Sequence, residues 1–192
     1  TTGSYNVGVG VNALAANTTA ANNTAVGTAA LAANTTGTGN VALGANSLDA
    51  NTTADNNTAI GLNALGANTT GDKNVAVGQA ALPTSTTAIH NVAIGQACME
   101  ACTTGSNNVA IGRIALLSST SAENNTAIGA NSLKDCTTGS GNVAVGQDSA
   151  ENITTGANNI CIGIDCGDTL TTGDTNILIG NTARPSASGG AN

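Results

Sequence analysis

A short apolar run closed by glycine recurs along the chain, as in Val75-Ala76-Val77-Gly78, Val92-Ala93-Ile94-Gly95 and Val109-Ala110-Ile111-Gly112. Each run follows an asparagine. These asparagines are Asn6, Asn23, Asn40, Asn57, Asn74, Asn91, Asn108, Asn125, Asn142, Asn159 and Asn176, always 17 residues apart, with no insertion or deletion. With that asparagine as column one, the unit reads N-[VT]-A-[VI]-G-x-x-A-L-x-x-N-T-T-G-x-x. Column five is glycine from Gly10 to Gly180, and column four is Val, Ile or Leu from Val9 to Ile179. Column nine is Leu or Met from Leu14 to Leu133, then decays to Ala150, Gly167 and Arg184. The first five residues fit columns thirteen to seventeen, so the chain opens inside a unit, as a cut through a longer array would. Residues 1–175 are the expected repeat array. Residues 176–192, where Pro185 and Gly189-Gly190 break the pattern, are the expected degenerate last unit or linker.

A period this short excludes helical-hairpin repeats, which take about 33 residues or more. β-Branched residues at alternate positions in columns two and four favour a strand. Ala-Leu in columns eight and nine suggests a second short strand, and the Thr-Thr-Gly stretch a turn. The expected fold is all-β: a parallel β-solenoid, or β-roll, of 17-residue coils, stacked about 4.8 Å apart. The lack of indels fits, because a coil of different length would throw every later column out of register. Asparagine in column one would either stack into an amide ladder along the rod or serve a turn in left-handed backbone. Glycine in column five marks a backbone bend or the close approach of another backbone.

The few charges test this map. Acids occupy columns seven, ten, eleven and sixteen, including Asp148, Glu151, Asp135, Asp55 and Asp72, and the bases are Lys73, Arg113, Lys134 and Arg184. None falls in columns one to five, eight or twelve to fifteen, so those columns are expected to be buried. The aliphatic chains of columns two, four and nine would then form the core. Three such side chains per coil make a thin interior, which suggests an oligomer, most simply a parallel homotrimer packed through the small-residue columns three, five and eight. A triple β-spiral, with interleaved chains, is the other trimeric arrangement.

Composition narrows the chemistry. The chain has no Phe or Trp, one tyrosine, Tyr5, and 8% charged residues, against an ordinary figure of about 25%. Four basic residues and a net charge of −7 disfavour nucleic acid, which is bound through Lys and Arg, and no run of about 18 apolar residues suggests a membrane span. Five cysteines, Cys98, Cys102, Cys136, Cys161 and Cys166, sit in small columns and are expected to be buried thiols. Cys102 and Cys136 are two coils apart, roughly 9.6 Å, beyond the reach of a disulfide; pairing within a coil, Cys98 with Cys102 or Cys161 with Cys166, is open. His90 falls in a turn column with no nucleophile near it, and Asp55 and Asp72 share a column on adjacent coils, as solvated acids or around a cation. The N-x-T sequons at Asn17, Asn34, Asn51 and Asn68 follow from the repeat. No catalytic, cofactor or metal site is expected, and no enzymatic activity.

The stretches N-T-A-I-G-L-N-A-L-G-A-N-T-T-G at 57–71 and N-V-A-V-G-Q-A-A-L at 74–82 resemble the repeats of bacteriophage tail-fibre proteins. They are also similar to the head repeats of trimeric autotransporter adhesins. The resemblance covers about residues 6–175 and is closer for the tail-fibre repeat, which includes N-T-T-G. It implies a trimeric, parallel β-roll fibre used in attachment to a host or surface. It also implies an extracellular place, on a virion or a cell, and neighbouring fibre segments end to end. An ice-binding β-solenoid is the competing expectation, from the threonine columns and the lack of aromatics. Against it, neighbouring threonines on a strand would face opposite ways.

Overall fold

A computed structural model describes residues 2–185. Columns two to four of each unit form one three-residue strand: β1 (Val7–Val9), β2 (Thr24–Val26), β3 (Val41–Leu43), β4 (Thr58–Ile60), β5 (Val75–Val77), β6 (Val92–Ile94), β7 (Val109–Ile111), β8 (Thr126–Ile128), β9 (Val143–Val145), β10 (Ile160–Ile162) and β11 (Ile177–Ile179). They make one 11-stranded parallel sheet in sequence order. The register is the repeat itself: Thr58 faces Val75, Ala59 faces Ala76 and Ile60 faces Val77. The fold is therefore the expected parallel β-solenoid, one unit per coil. β11 lies within the segment expected to be degenerate, yet it pairs in register with β10, so the array continues past residue 175. Residues 186–192 lie outside the described residues.

The second strand is absent among the described residues, and the backbone says why. Columns seven and nine both have positive φ, as at Asn63 (56°) and Leu65 (52°). Extended backbone has φ near −120°, so a strand cannot run through them. Column seventeen is left-handed too, at Asn56 and His90 among others. Coils still bond to one another outside the strands: Leu65 N–H donates to the Ala81 carbonyl at 3.0 Å, Thr69 N–H to Thr86 at 3.0 Å and Ala80 N–H to Leu62 at 2.9 Å. Hydrogen bonding thus continues beyond the strands into the turns.

Column five is both a bend and a close approach. Gly44 has φ of +136°, and a Cβ there would lie 2.5 Å from the Gly61 carbonyl oxygen of the next coil. Any other residue would be strained and would separate the coils.

The strand faces are reversed from expectation. Column three, Ala in most units, is buried from Ala25 to Leu178, column eight from Ala30 to Cys166 and column nine from Leu31 to Gly167. Column four points outward: Leu43 is 45% exposed and Ile94 37%. Column two is half-buried, as at Val75. The physical reason is room. The leucine of column nine reaches across the narrow coil and fills it, so only a methyl group fits opposite. The larger β-branched side chains go outside, where strand propensity still favours them. Columns one, twelve and fifteen are buried as expected, whereas column fourteen, from Thr19 to Thr172, is exposed.

Candidate functional surface

The columns that hold the coils together also decide which surfaces are left. In column one the asparagines form the amide ladder. Asn57 Oδ1 accepts the Asn74 N–H at 2.8 Å, and Asn57 Nδ2 donates to the Gly71 carbonyl at 2.9 Å. The same pair of bonds recurs at Asn40 and Asn91. These asparagines are fully buried and do not have left-handed backbone, so the ladder prevails over the turn role.

Sequence reasoning missed a second ladder, in column twelve. Asn51 Nδ2 donates to Asn34 Oδ1 at 2.9 Å and Asn68 Nδ2 to Asn51 Oδ1 at 3.2 Å. Asn34, Asn51 and Asn68 are fully buried, which removes them as glycosylation acceptors in the folded coil. The recurrence of Asn17, Asn34, Asn51 and Asn68 in a charge-free column was the available signal. From Ser85 onward the column changes to Ser and Cys, then to Ile153 and Leu170.

The acidic pair is spent on the backbone. Asp55 Oδ1 accepts the Thr38 N–H at 2.6 Å, and Asp72 Oδ1 accepts the Asp55 N–H at 2.7 Å. Ser106, Ser140 and Asp174 do the same one coil apart. Column sixteen is thus a row of side-chain acceptors for N–H groups of the preceding coil. His90 is exposed, and its N–H donates to the Asp72 carbonyl at 3.1 Å. Among the described residues no group of three or more His, Cys, Asp or Glu is placed to hold a metal ion. No helix there is long and apolar enough to cross a membrane.

All five cysteines are buried free thiols. Burial pushes Cys98 and Cys161 up to about 12 and Cys102 and Cys136 up to about 11, so none is a ready nucleophile at neutral pH. Lys134 pairs with Glu151, and this hydrogen bond raises its pKa above the ordinary lysine value. Arg184 pairs with Asp168.

Two outer features remain. One is the apolar ribbon of columns two and four, extended by Val11, Leu62 and Ile164 of column six, of which Leu62 is 45% and Ile164 50% exposed. The other is the exposed threonine row of column fourteen. Column thirteen does not double it, because its hydroxyls donate to the next coil's carbonyls, Thr52 to Thr69 at 3.2 Å and Thr103 to Thr120 at 3.1 Å. A surface hollow of about 420 Å³ is lined by Thr84, Glu100, Ala101, Leu117 and Ser118, with no nucleophile and base brought together. Tyr5, Arg113 and Arg184 are exposed but belong to distant coils.

No family model, no curated protein and no solved structure matches this chain. The geometry alone therefore carries the functional reading. It offers long repetitive surfaces and no catalytic constellation among the described residues. The surface available to a partner also differs from the one expected: columns three and eight are enclosed within the single coil and present nothing outward. The outward faces are columns two, four and six.

Proposed function

We propose that this chain is a shaft segment of a fibre used in attachment to a host or surface. The observation that carries this reading is the unbroken register. Every strand pairs with its neighbour at the same 17-residue offset, so each coil repeats the last and the array can be extended unit by unit. Repeat arrays of this kind are stabilised by neighbour interfaces rather than by a central core, which suits a spacer. The resemblance of the repeat to tail-fibre and adhesin sequences supports the same reading. The fibre is a parallel homotrimer, extracellular, with further segments stacked end to end. Its chains meet along the apolar ribbon of columns two and four. The segment itself binds no receptor, because recognition leans on aromatic and arginine anchors, and those present are scattered.

Light scattering of the purified chain, with image reconstruction of the rod, tests this. The expected result is three chains per particle and a rise of about 4.8 Å per unit. A folded monomer at micromolar concentration would sink the trimer, and a much larger rise the coil. A host-cell binding assay with the isolated segment should be negative; saturable binding would make it an adhesive head.

The threonine row of column fourteen supports a second reading, ice binding. It predicts thermal hysteresis above buffer, whereas a shaft gives none.

A further inference from the structure

Cys161 and Cys166 lie on one coil, in columns three and eight, and both side chains are fully buried in its interior. In most other coils these two columns hold Ala against Ala or Ser. Here they hold two thiols in one narrow interior, and the Cys166 thiol is among the groups that raise the Cys161 pKa. No other coil carries cysteine in both columns. Cys98 donates to the Ala110 carbonyl at 3.2 Å, as Cys166 does to Leu178 at 3.3 Å, and Cys102 donates to Gly105 at 3.5 Å. Cys136 donates to Gly139 at 3.3 Å, two coils from Cys102.

The surroundings make the pair specific. Cys161 sits against Gly167, where a Cβ would lie 2.7 Å from its sulfur. The leucine that fills column nine in earlier coils is absent there, and the sulfur takes part of its place. The backbone between the two cysteines turns sharply, with φ of +139° at Gly163 and +53° at Asp165, and the same turn in the first coil leaves a Cβ on Gly8 of column three 3.6 Å from the Ala13 carbonyl oxygen of column eight. We propose that Cys161 and Cys166 form an intra-coil disulfide that staples the C-terminal part of the array when the chain folds under oxidising conditions.

In this step the two thiols lose two protons and two electrons and one S–S bond forms. A small-molecule disulfide of the glutathione or dithiothreitol class accepts both and is released as two thiols. The exchange needs a thiolate, and burial holds Cys161 at about 12 in the finished coil. Closure therefore belongs to folding, before burial is complete. Once closed, the buried bond is shielded from reductant.

The test is to refold the full chain with an oxidised small-molecule disulfide, denature it without reduction, alkylate, and map the peptides by mass spectrometry. Of the five cysteines, two should resist alkylation, Cys161 and Cys166, joined with the loss of two hydrogens. The Cys166→Ala variant restores the residue common in column eight. It should leave all its remaining thiols open to alkylation, and its melting temperature should not depend on the oxidant. The parent chain should melt a few degrees higher oxidised than reduced. Full alkylation of the refolded parent, or a linkage between other cysteines, would overturn the proposal. So would loss of two thiols in Cys166→Ala.

Discussion

The coils up to residue 141 and those that follow build the same tube from different interiors. In the earlier coils column nine supplies the large side chain, Leu31, Leu48, Leu65, Leu82, Met99, Leu116 and Leu133, and column twelve is polar or a thiol. Later the roles exchange. Ala150 faces Ile153, then Gly167 accompanies Leu170, and finally Leu178 of column three moves in, with its Cδ1 3.5 Å from where a Gly167 Cβ would be. One large apolar side chain per coil is kept while its column changes. What the coil conserves is the filled volume, as close packing requires, and what the period conserves is the backbone. The decay of column nine, which in the sequence looks like a fraying repeat, is a compensated core.

Raising the pH should have the largest effect, and it divides the chain along another line, between the cysteine-bearing coils and those before them. The cysteines all fall between Cys98 and Cys166, and burial raises each thiol. A group whose native pKa lies above its unfolded value of 9.0 stabilises fully below that value. It loses this contribution as pH rises toward the native value of about 11 to 12. Each thiol is then worth on the order of 1.4 kcal/mol per pH unit in that window. Hydrogen exchange of the reduced protein at pH 8 and near pH 11 should show the cysteine-bearing coils opening while coils 23–68 hold; uniform opening would break the comparison.

Next in size is Leu116→Ala, which should cost about 2–5 kcal/mol by leaving a cavity. Adding Ser119→Ile copies the Ala150–Ile153 arrangement and removes a buried hydroxyl that has no partner. The double variant should recover most of the loss in chemical denaturation. If it is no better than the single, the exchange of columns is not compensation.

Asn57→Ala should cost about 1–3 kcal/mol, since it strands the buried Asn74 N–H and leaves the Gly71 carbonyl with Asn68 Nδ2 as its side-chain donor. In column twelve Asn51→Ser should cost less, because Ser85 and Ser119 already occupy that column. Equal losses would mean that the two ladders bear alike on stability.

The smallest effect expected of a single chain is that of Ile94→Asp. A side chain 37% exposed on the outer face should cost under about 1 kcal/mol, mostly strand propensity. A collapse in melting temperature, with loss of oligomer by light scattering, would show that the apolar ribbon is covered by another chain.

Much of this was legible in the residues. The period gave the coil, the parallel register and the glycine column, because each depends on spacing alone. The direction of the strand faces was not legible. In a three-residue strand, Val-Ala-Ile assigns two faces without saying which is inside, and apolar weight pointed to the wrong one. The answer depended on Leu65 and its equivalents crossing the coil from left-handed backbone, a conformation that leucine seldom signals. The Cys161–Cys166 pairing was open in the sequence because the separation of columns three and eight depends on the turn between them.

The constant offset of the bonds between coils has a consequence at the level of the gene. Asn ladder, threonine bonds and strand pairs all join a position to its counterpart one unit on. Unequal recombination that removes or duplicates whole units would hand each column the same kind of partner it had before. Rods of new length would then arise in single genetic events without passing through a misfolded intermediate, while a slip of one codon would be lost at once.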